Sequence, residues 1–208
     1  MDTIINRQFD IANNQADAIA LPKYHIYAMC NLRGGIGKTT LSFNLSYLVD
    51  NLLAVDTCPQ GNLSYFYDKN YYAGNQTNVK DMLLPYLVPG LGRATRVASY
   101  IGATNQYFSD KNNYYIPSSE ELYLLPSQLI TAINQTAGLQ QAQKEQALKS
   151  ILYSLEKEIK RELLENSLDK CIIDTSPFFA GERTTCLCLM IFWVQGAFLP
   201  LNQSLWNC

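Results

Sequence analysis

The chain has 208 residues, of which 48% are hydrophobic, and a formal net charge of −2. This length is sufficient for one domain with a substantial buried core. The small negative charge excludes a strongly basic protein that attracts nucleic acid through its overall field.

Three segments follow one another along the chain. Residues 1–22 are predicted to form a short arm or helix, too small for a DNA-binding helix-turn-helix domain. These residues contain no long apolar run, so we expect neither a signal peptide nor a membrane span there. Residues 23–181 are predicted to form the folded domain, and residues 182–208 form a tail that has no charged residue after position 183.

The domain opens with a strand, a glycine-rich loop and a helix. Residues 24–30 are apolar and favour a β-strand, and leucines at helical spacing predict a helix over residues 38–51. Residues 52–56 are apolar on both faces, as in a buried parallel strand. Asp56 ends that strand, at the sheet edge where ligands bind in open α/β folds. Alternatively, Asp56 caps a turn before Pro59.

The loop over residues 31–40 has the composition of a phosphate-binding site. Its glycines allow positive φ angles and close approach of the backbone to a ligand, while the following helix presents its positive dipole end. Lys38 adds an ammonium for the terminal phosphates, and the Thr39 hydroxyl is a candidate Mg²⁺ ligand. The predicted nucleotide-binding residues are Gly34, Gly35, Ile36, Gly37, Lys38, Thr39 and Thr40. The alternative is a glycine-rich turn that happens to precede Lys-Thr.

The middle of the chain is rich in tyrosine and asparagine. A short helix or packing segment is predicted at residues 82–88, a loop at 105–117 and a strand at 121–126. The tyrosines and scattered basic residues either stack on nucleic acid or serve as core and surface aromatics. Residues 138–166 then form an amphipathic helix whose charged face is predicted to be solvated. An apolar strand at residues 170–174 ends at Asp174.

The tail has no charged residue from position 184 to 208. It is either native, with a buried helix at 184–195 and a strand at 197–201, or an out-of-frame or divergent sequence. A membrane-spanning helix fits less well, because the apolar run is short and interrupted. Cys186 and Cys188 could form half of a metal site, but no partner pair accompanies them. The six cysteines follow no disulfide framework, which predicts reduced thiols in a cytoplasmic protein.

Three motifs in the expected order resemble the ParA/MinD family. Residues 33–39, Arg-Gly-Gly-Ile-Gly-Lys-Thr, resemble its deviant Walker A loop, K-G-G-x-G-K-[ST]. Residues 55–62 resemble its switch, V-D-x-D-P-Q-G-N, and residues 172–177 resemble its Walker B strand, I-I-D-T-P-P. The resemblance implies a three-layer α/β P-loop NTPase fold with a mostly parallel sheet flanked by helices. Against the family pattern, we expect the C-terminal part of this fold to be missing or divergent in the chain.

The resemblance also implies an activity. Members closest to ParA bind ATP and Mg²⁺, dimerise on ATP and partition plasmids or chromosomes with a ParB-like centromere-binding protein and non-specific DNA. The implied location is cytoplasmic, on the nucleoid if DNA binding is retained. The MinD-type membrane anchor fits less well, because the tail lacks basic residues.

The implied roles fall on particular residues. Lys38, Asp56 and Arg33 would be the catalytic residues, and Thr39, Asp56 and Asp174 would hold the metal. Arg33 would reach the partner subunit's phosphates, unless it is an ordinary loop residue.

One position departs from the family pattern. Cys58 stands where the family has a second switch carboxylate, and a neutral thiol accepts hydrogen bonds from water poorly. Hydrolysis is therefore expected to be slow. The alternatives are a nucleotide-binding switch or remnant with little hydrolysis, or a related cargo-positioning ATPase.

Overall fold

The structure, a computed structural model, describes residue 13 and residues 25–30, 33–73, 76–94 and 97–175. The predicted N-terminal arm and the tail from residue 182 therefore lie outside the described residues, except for residue 13. None of the helices in the described part of the chain is long and apolar enough to cross a membrane.

A five-stranded sheet forms the centre of the molecule. Its strands are β1 (Ile26–Met29), β2 (Leu52–Asp56), β3 (Ser99–Tyr100), β4 (Tyr114–Ile116) and β5 (Lys170–Asp174). The spatial order is β1-β5-β2-β4-β3, and all neighbouring pairs are parallel except β3 with β4. This arrangement confirms the predicted mostly parallel α/β sheet.

Six α-helices are present in the described residues. They are α1 (Lys38–Leu48), α2 (Asn62–Tyr67), α3 (Val79–Leu87), α4 (Leu125–Gln135), α5 (Gln141–Leu152) and α6 (Ser154–Glu165). Alternate residues of β2 face opposite sides of the sheet: Leu53 and Val55 pack in the core with α3–α6, whereas Leu52 and Ala54 pack with residues of α1 and α2. The helices thus cover both faces and give three layers.

Three predicted elements differ from those observed: the strand at residues 121–126, the loop at 105–117 and the helix over 138–166. Residues 121–126 form no strand; Glu120–Leu124 is a 3₁₀ helix that leads into α4, and the Ser119 hydroxyl accepts a hydrogen bond from the Glu121 amide at its start (3.2 Å). Residues 105–117, predicted as a loop, contain the strand β4, which pairs with β2 on the side opposite β5. β4 is only three residues long and is flanked by Asn and Pro, so its sequence shows no periodic pattern that would predict a strand. Pairing with β2 and burial stabilise it.

The predicted helix over residues 138–166 is two helices. The break lies at Tyr153, which leaves helical geometry with φ −96° and ψ 8°. The predicted solvated face holds for the Glu156–Lys160 pair but is wrong for Glu158 and Glu162, each only 1% exposed. A buried carboxylate is costly unless it is paired with a cation or a hydrogen-bond donor, so Glu158 and Glu162 need such partners.

Arginines and a tyrosine serve as those partners. Arg161 Nη2 lies 2.9 Å from carboxylate oxygens of both Glu158 and Glu162. Arg93 and the Tyr86 hydroxyl also donate to Glu158. The α5–α6 layer is therefore held to the segment after α3 by paired charges as well as by apolar packing.

Asn113, the residue just before β4, is hydrogen-bonded to the end of α1 and to the start of β2. Its side chain is fully buried. Its Oδ1 accepts a hydrogen bond from the Leu52 amide (3.1 Å), and its Nδ2 donates to the carbonyls of Ser46 (2.6 Å) and Val49 (2.8 Å). One side chain therefore satisfies the end of α1 and the start of β2, whose polar groups would otherwise be buried without partners.

We expect Asn113→Ala to lower the free energy of unfolding by about 3 kcal/mol, since each buried group left without a partner costs roughly 1–3 kcal/mol. Urea denaturation followed by circular dichroism measures the change. The control is Asn112→Ala, because the side-chain hydrogen bond of the neighbouring Asn112 to Asn51 is exposed. Equal effects of the two substitutions would contradict the bridging role of Asn113.

Candidate functional site

The glycine loop leads directly into α1. Gly35 and Gly37 have φ angles of 73° and 86°, a left-handed conformation that glycine adopts without strain. Gly37 is the N-cap residue of α1, and no side chain caps the helix. A Cβ added at either glycine would meet nothing within 4 Å. Among the described residues, nothing therefore fills the space beside these glycines at the N-terminus of α1, whose positive dipole end suits an anion.

Thr39 and Asp174 connect this loop to the sheet. The Thr39 hydroxyl donates to Asp174 Oδ2 at 2.7 Å, and the Ser42 hydroxyl donates to Oδ1 at 3.2 Å. Asp174 is buried at the tip of β5, and burial raises the pKa of its carboxyl, against the two hydroxyl hydrogen bonds and the nearby Lys38 charge. The loop threonine and the carboxylate at the tip of β5 are therefore in direct contact.

Asp56 lies beside Asp174 at the tip of β2. The two aspartates are register partners in the β2–β5 ladder. Asp56 Oδ1 accepts from the Cys58 amide (3.0 Å), and Oδ2 accepts from both the amide and the hydroxyl of Ser64 (each 2.8 Å). Burial raises the pKa of Asp56 to about 7, and the Asp174 charge adds to the rise against these hydrogen bonds. The two buried carboxylates therefore concentrate negative charge at the tips of β2 and β5.

Cys58 follows Asp56 by two residues and is buried, with 4% exposure. Its carbonyl accepts from the Gly61 amide (2.9 Å) and from the Ser118 hydroxyl. The Ser118 amide in turn donates to the Ser64 hydroxyl at 2.9 Å. The backbone at Cys58 is thus fixed in a turn between the end of β2 and the start of α2.

The remaining predicted residues lie on the outer side of the loop. Arg33 is exposed, and its carbonyl accepts a hydrogen bond from the Lys38 ammonium at 3.3 Å. The exposed loop residues also include Gly34, Ile36 and Thr40. The structure thus brings Lys38, Thr39, Asp56 and Asp174 to one edge of the sheet, with Arg33 on the exposed rim.

Sequence reasoning missed three serines of the site: Ser42 and Ser64 bond the aspartates, and Ser118 bonds Ser64 and the Cys58 carbonyl. Ser42 lies one helical turn after Thr39, so the i, i+3 spacing on α1 could have indicated it. No local pattern connects Ser64 or Ser118 with Asp56, because these contacts depend on the packing of α2 and β4 against β2.

The arrangement suits a phosphate group with Mg²⁺. Within the described ranges, no group of three or more His, Cys, Asp or Glu residues could hold a metal ion. Mg²⁺ does not need such a cage, since it keeps several waters and uses one or two carboxylates with a hydroxyl and the substrate phosphates. The donor set of Thr39, Asp174 and Asp56 consists of hard oxygen atoms, and the open helix start lies next to it. Thr39, Asp56 and Asp174 are therefore suited to hold Mg²⁺ beside a phosphate group.

We expect Thr39→Val to weaken Mg²⁺-dependent binding of a nucleoside triphosphate by at least about tenfold, since it removes a hydroxyl that bonds a buried charged group. Valine keeps the β-branched shape, so α1 remains intact. Isothermal titration calorimetry with a non-hydrolysable analogue, with and without Mg²⁺, measures the loss.

Thr39→Ser is the matched control for that experiment. It retains the hydroxyl and is expected to bind like the wild type. The assignment would be wrong if the valine and serine variants bound the nucleotide equally well.

Comparison with known proteins agrees with this geometry. A family model described as an AAA domain (AAA_31) matches residues 24–189. None of the curated proteins compared with the chain matches it. Solved structures do: a protein from Corynebacterium diphtheriae is 16% identical with a TM-score of 0.55, and covers 75% of this chain and 53% of its own.

Two further similar structures have named ligands. The Cyanothece McdA variant in complex with ATP is 20% identical, with a TM-score of 0.52, over 84% of this chain and 54% of its own. Cobyrinic acid a,c-diamide synthase from Mycobacterium smegmatis, with ADP and magnesium, is 19% identical, with a TM-score of 0.50, over 75% and 52%. At this identity the likeness shows the fold, and the chain spans about half the length of these proteins.

The family match covers most of the chain, including the glycine loop and both aspartate-tipped strands. The chain therefore belongs to the AAA-domain family of ParA/MinD-type P-loop ATPases.

Proposed function

We propose that this chain binds ATP with Mg²⁺ and hydrolyses it. The observation that carries the proposal is the Thr39–Asp174 hydrogen bond, which joins an uncapped, glycine-led helix start to a buried carboxylate. In P-loop ATPases the loop and its lysine hold the β- and γ-phosphates, while the threonine and an acidic strand tip hold the metal. The ATP and the ADP with magnesium in the McdA and synthase structures are in line with this ligand.

Each residue has a role in this proposal. The loop amides and Lys38 would bind the phosphates, Thr39 and Asp174 would hold the metal, and Asp56 would accept a hydrogen bond from a nearby water through its remaining lone pair. When bound, Mg²⁺ supplies positive charge that neutralises the phosphate oxygens. The two buried carboxylates side by side at the strand tips support a cation here, because a positive charge between them would favour their ionised forms.

We further propose that ATP holds two copies of the chain together. ParA-type membership and the exposed position of Arg33 on the loop rim support this arrangement. In the proposed dimer the Arg33 guanidinium contacts the partner subunit's nucleotide, as a planar, permanently charged group suited to phosphate. The biological role is partition of plasmid or chromosomal DNA in the cytoplasm, with a ParB-like protein and non-specific DNA as partners. Positioning of another cargo is the related alternative.

We expect Arg33→Ala to leave ATP binding nearly unchanged and to abolish ATP-dependent dimerisation. The substitution leaves the hydrogen bond from Lys38 within the loop in place, because its acceptor is the backbone carbonyl of residue 33. Multi-angle light scattering with a non-hydrolysable ATP analogue measures the mass, and calorimetry measures binding.

Two variants control the dimerisation experiment. Arg33→Lys retains a cation and is expected to dimerise, and Lys69→Ala removes an exposed cation elsewhere without effect. A dimer of undiminished stability in Arg33→Ala would exclude the role across the interface.

A second candidate is a nucleotide-dependent switch that turns over very slowly. The buried thiol of Cys58 favours it, since this side chain follows Asp56 at the strand tip and offers no carboxylate to orient water. The two candidates share the nucleotide site and differ only in the rate of phosphate release.

We expect Cys58→Asp to raise the rate of phosphate release by at least about tenfold, the lower range for a positioned proton acceptor. Cys58→Ser, similar in size and neutral, is expected to leave the rate near that of the wild type. A continuous phosphate-release assay under saturating ATP and Mg²⁺ makes the comparison. Rapid turnover by the wild type would contradict the slow-switch candidate.

A further inference from the structure

Tyr71 lies over the turn that connects β2 with α2. Its amide donates to the Asp68 carbonyl at 3.2 Å. Asp68 is nearly buried, and its carboxylate accepts hydrogen bonds from the Asn70 amide (2.8 Å) and the Gln76 side chain (3.4 Å). The backbone that carries Tyr71 is therefore anchored on a fixed carboxylate.

The Tyr71 ring contacts the N-terminus of α2. Gly61 is the N-cap residue of this helix and has a φ of 64°. A Cβ at Gly61 would lie 1.8 Å from the Tyr71 hydroxyl oxygen and 2.6 Å from Cζ. Only glycine therefore leaves room for the phenol at this point. The same helix end donates the Ser64 amide to Asp56, so the hydroxyl lies on the turn that holds the aspartate.

The surroundings keep this phenol protonated. Burial raises the pKa of Tyr71, and the negative charges of Asp56 and Glu120 raise it further. The described part of the chain offers the hydroxyl no hydrogen-bond partner, although the neighbouring aspartates and serines are all bonded. A half-buried phenol that remains a donor and lacks an acceptor is suited to bind an anionic oxygen of a ligand.

We propose that the Tyr71 hydroxyl donates a hydrogen bond to the terminal phosphate of the bound nucleoside triphosphate. The inference rests on the proposed ATP site and adds a contact residue to it. A triphosphate held with Mg²⁺ by Thr39 and Asp174 would place its terminal phosphate at the sheet edge that also carries Asp56, whose carboxylate is bonded to the helix end beneath Tyr71. A ring that merely covered Gly61 would need no hydroxyl, so phenylalanine could replace it without effect.

The test compares Tyr71→Phe with Tyr72→Phe. Tyr72 is the adjacent tyrosine, 73% exposed, and its ring packs edge-on against that of Tyr71. Calorimetry with Mg²⁺ measures the affinity of each variant for a non-hydrolysable ATP analogue and for ADP. We expect Tyr71→Phe to weaken the triphosphate about tenfold, as for loss of a hydrogen bond to a charged group, with ADP affinity unchanged. Tyr72→Phe is expected to leave both affinities unchanged.

Each other result has a distinct meaning. Equal weakening of the triphosphate and of ADP, or no weakening of either, would overturn the phosphate contact, because a purely structural role does not distinguish the two nucleotides. Thermal unfolding of Tyr71→Phe at the wild-type temperature verifies that the fold is intact. Failure of the wild type to bind either nucleotide would instead contradict the proposed function, and the proposed Tyr71 contact would be rejected together with it.

Discussion

The hydrogen bond between Thr39 and Asp174 is the contact on which the site depends. It joins residues 135 positions apart, at the first turn of α1 and the tip of β5. The parallel pairing of β5 with both β1 and β2 carries Asp174 to the level of the loop and of Asp56. A hydroxyl bonded to a buried carboxylate fixes the helix start relative to the sheet, so the open glycine loop and the acidic strand tips form one site.

The charge balance of the strand tips explains much of the surrounding structure. Burial raises the pKa of both carboxylates, and the Asp174 charge raises that of Asp56 further; the structure offsets this cost with five hydrogen bonds from Thr39, Ser42, Cys58 and Ser64. A carboxylate at position 58 would add a third negative charge to the same buried turn. The thiol at Cys58 avoids that repulsion, and the Cys58 carbonyl holds the turn through hydrogen bonds from Gly61 and Ser118.

A second buried charge network lies far from the loop and has a structural role. Glu158 and Glu162 on α6 are paired with Arg161 and bonded to groups of the segment that follows α3. Removing one member of such a network leaves an uncompensated buried charge, so its members depend on one another. Together with Asn113, which joins α1, β2 and β4, it fixes the helical layers around the sheet that carries the site.

The sequence by itself determined the glycine loop, the start of α1 and the strands β2 and β5 with their terminal aspartates. Those features follow from local composition: glycines that permit positive φ, and apolar runs that only a buried strand accommodates. The tertiary structure alone decided that residues 114–116 form a strand, that residues 121–126 begin a helix and that Glu158 is buried. It also decided that Ser64 holds Asp56 and that Tyr71 lies over Gly61. These outcomes depend on partners distant in the chain, and a local pattern carries no information about which groups long-range packing brings together.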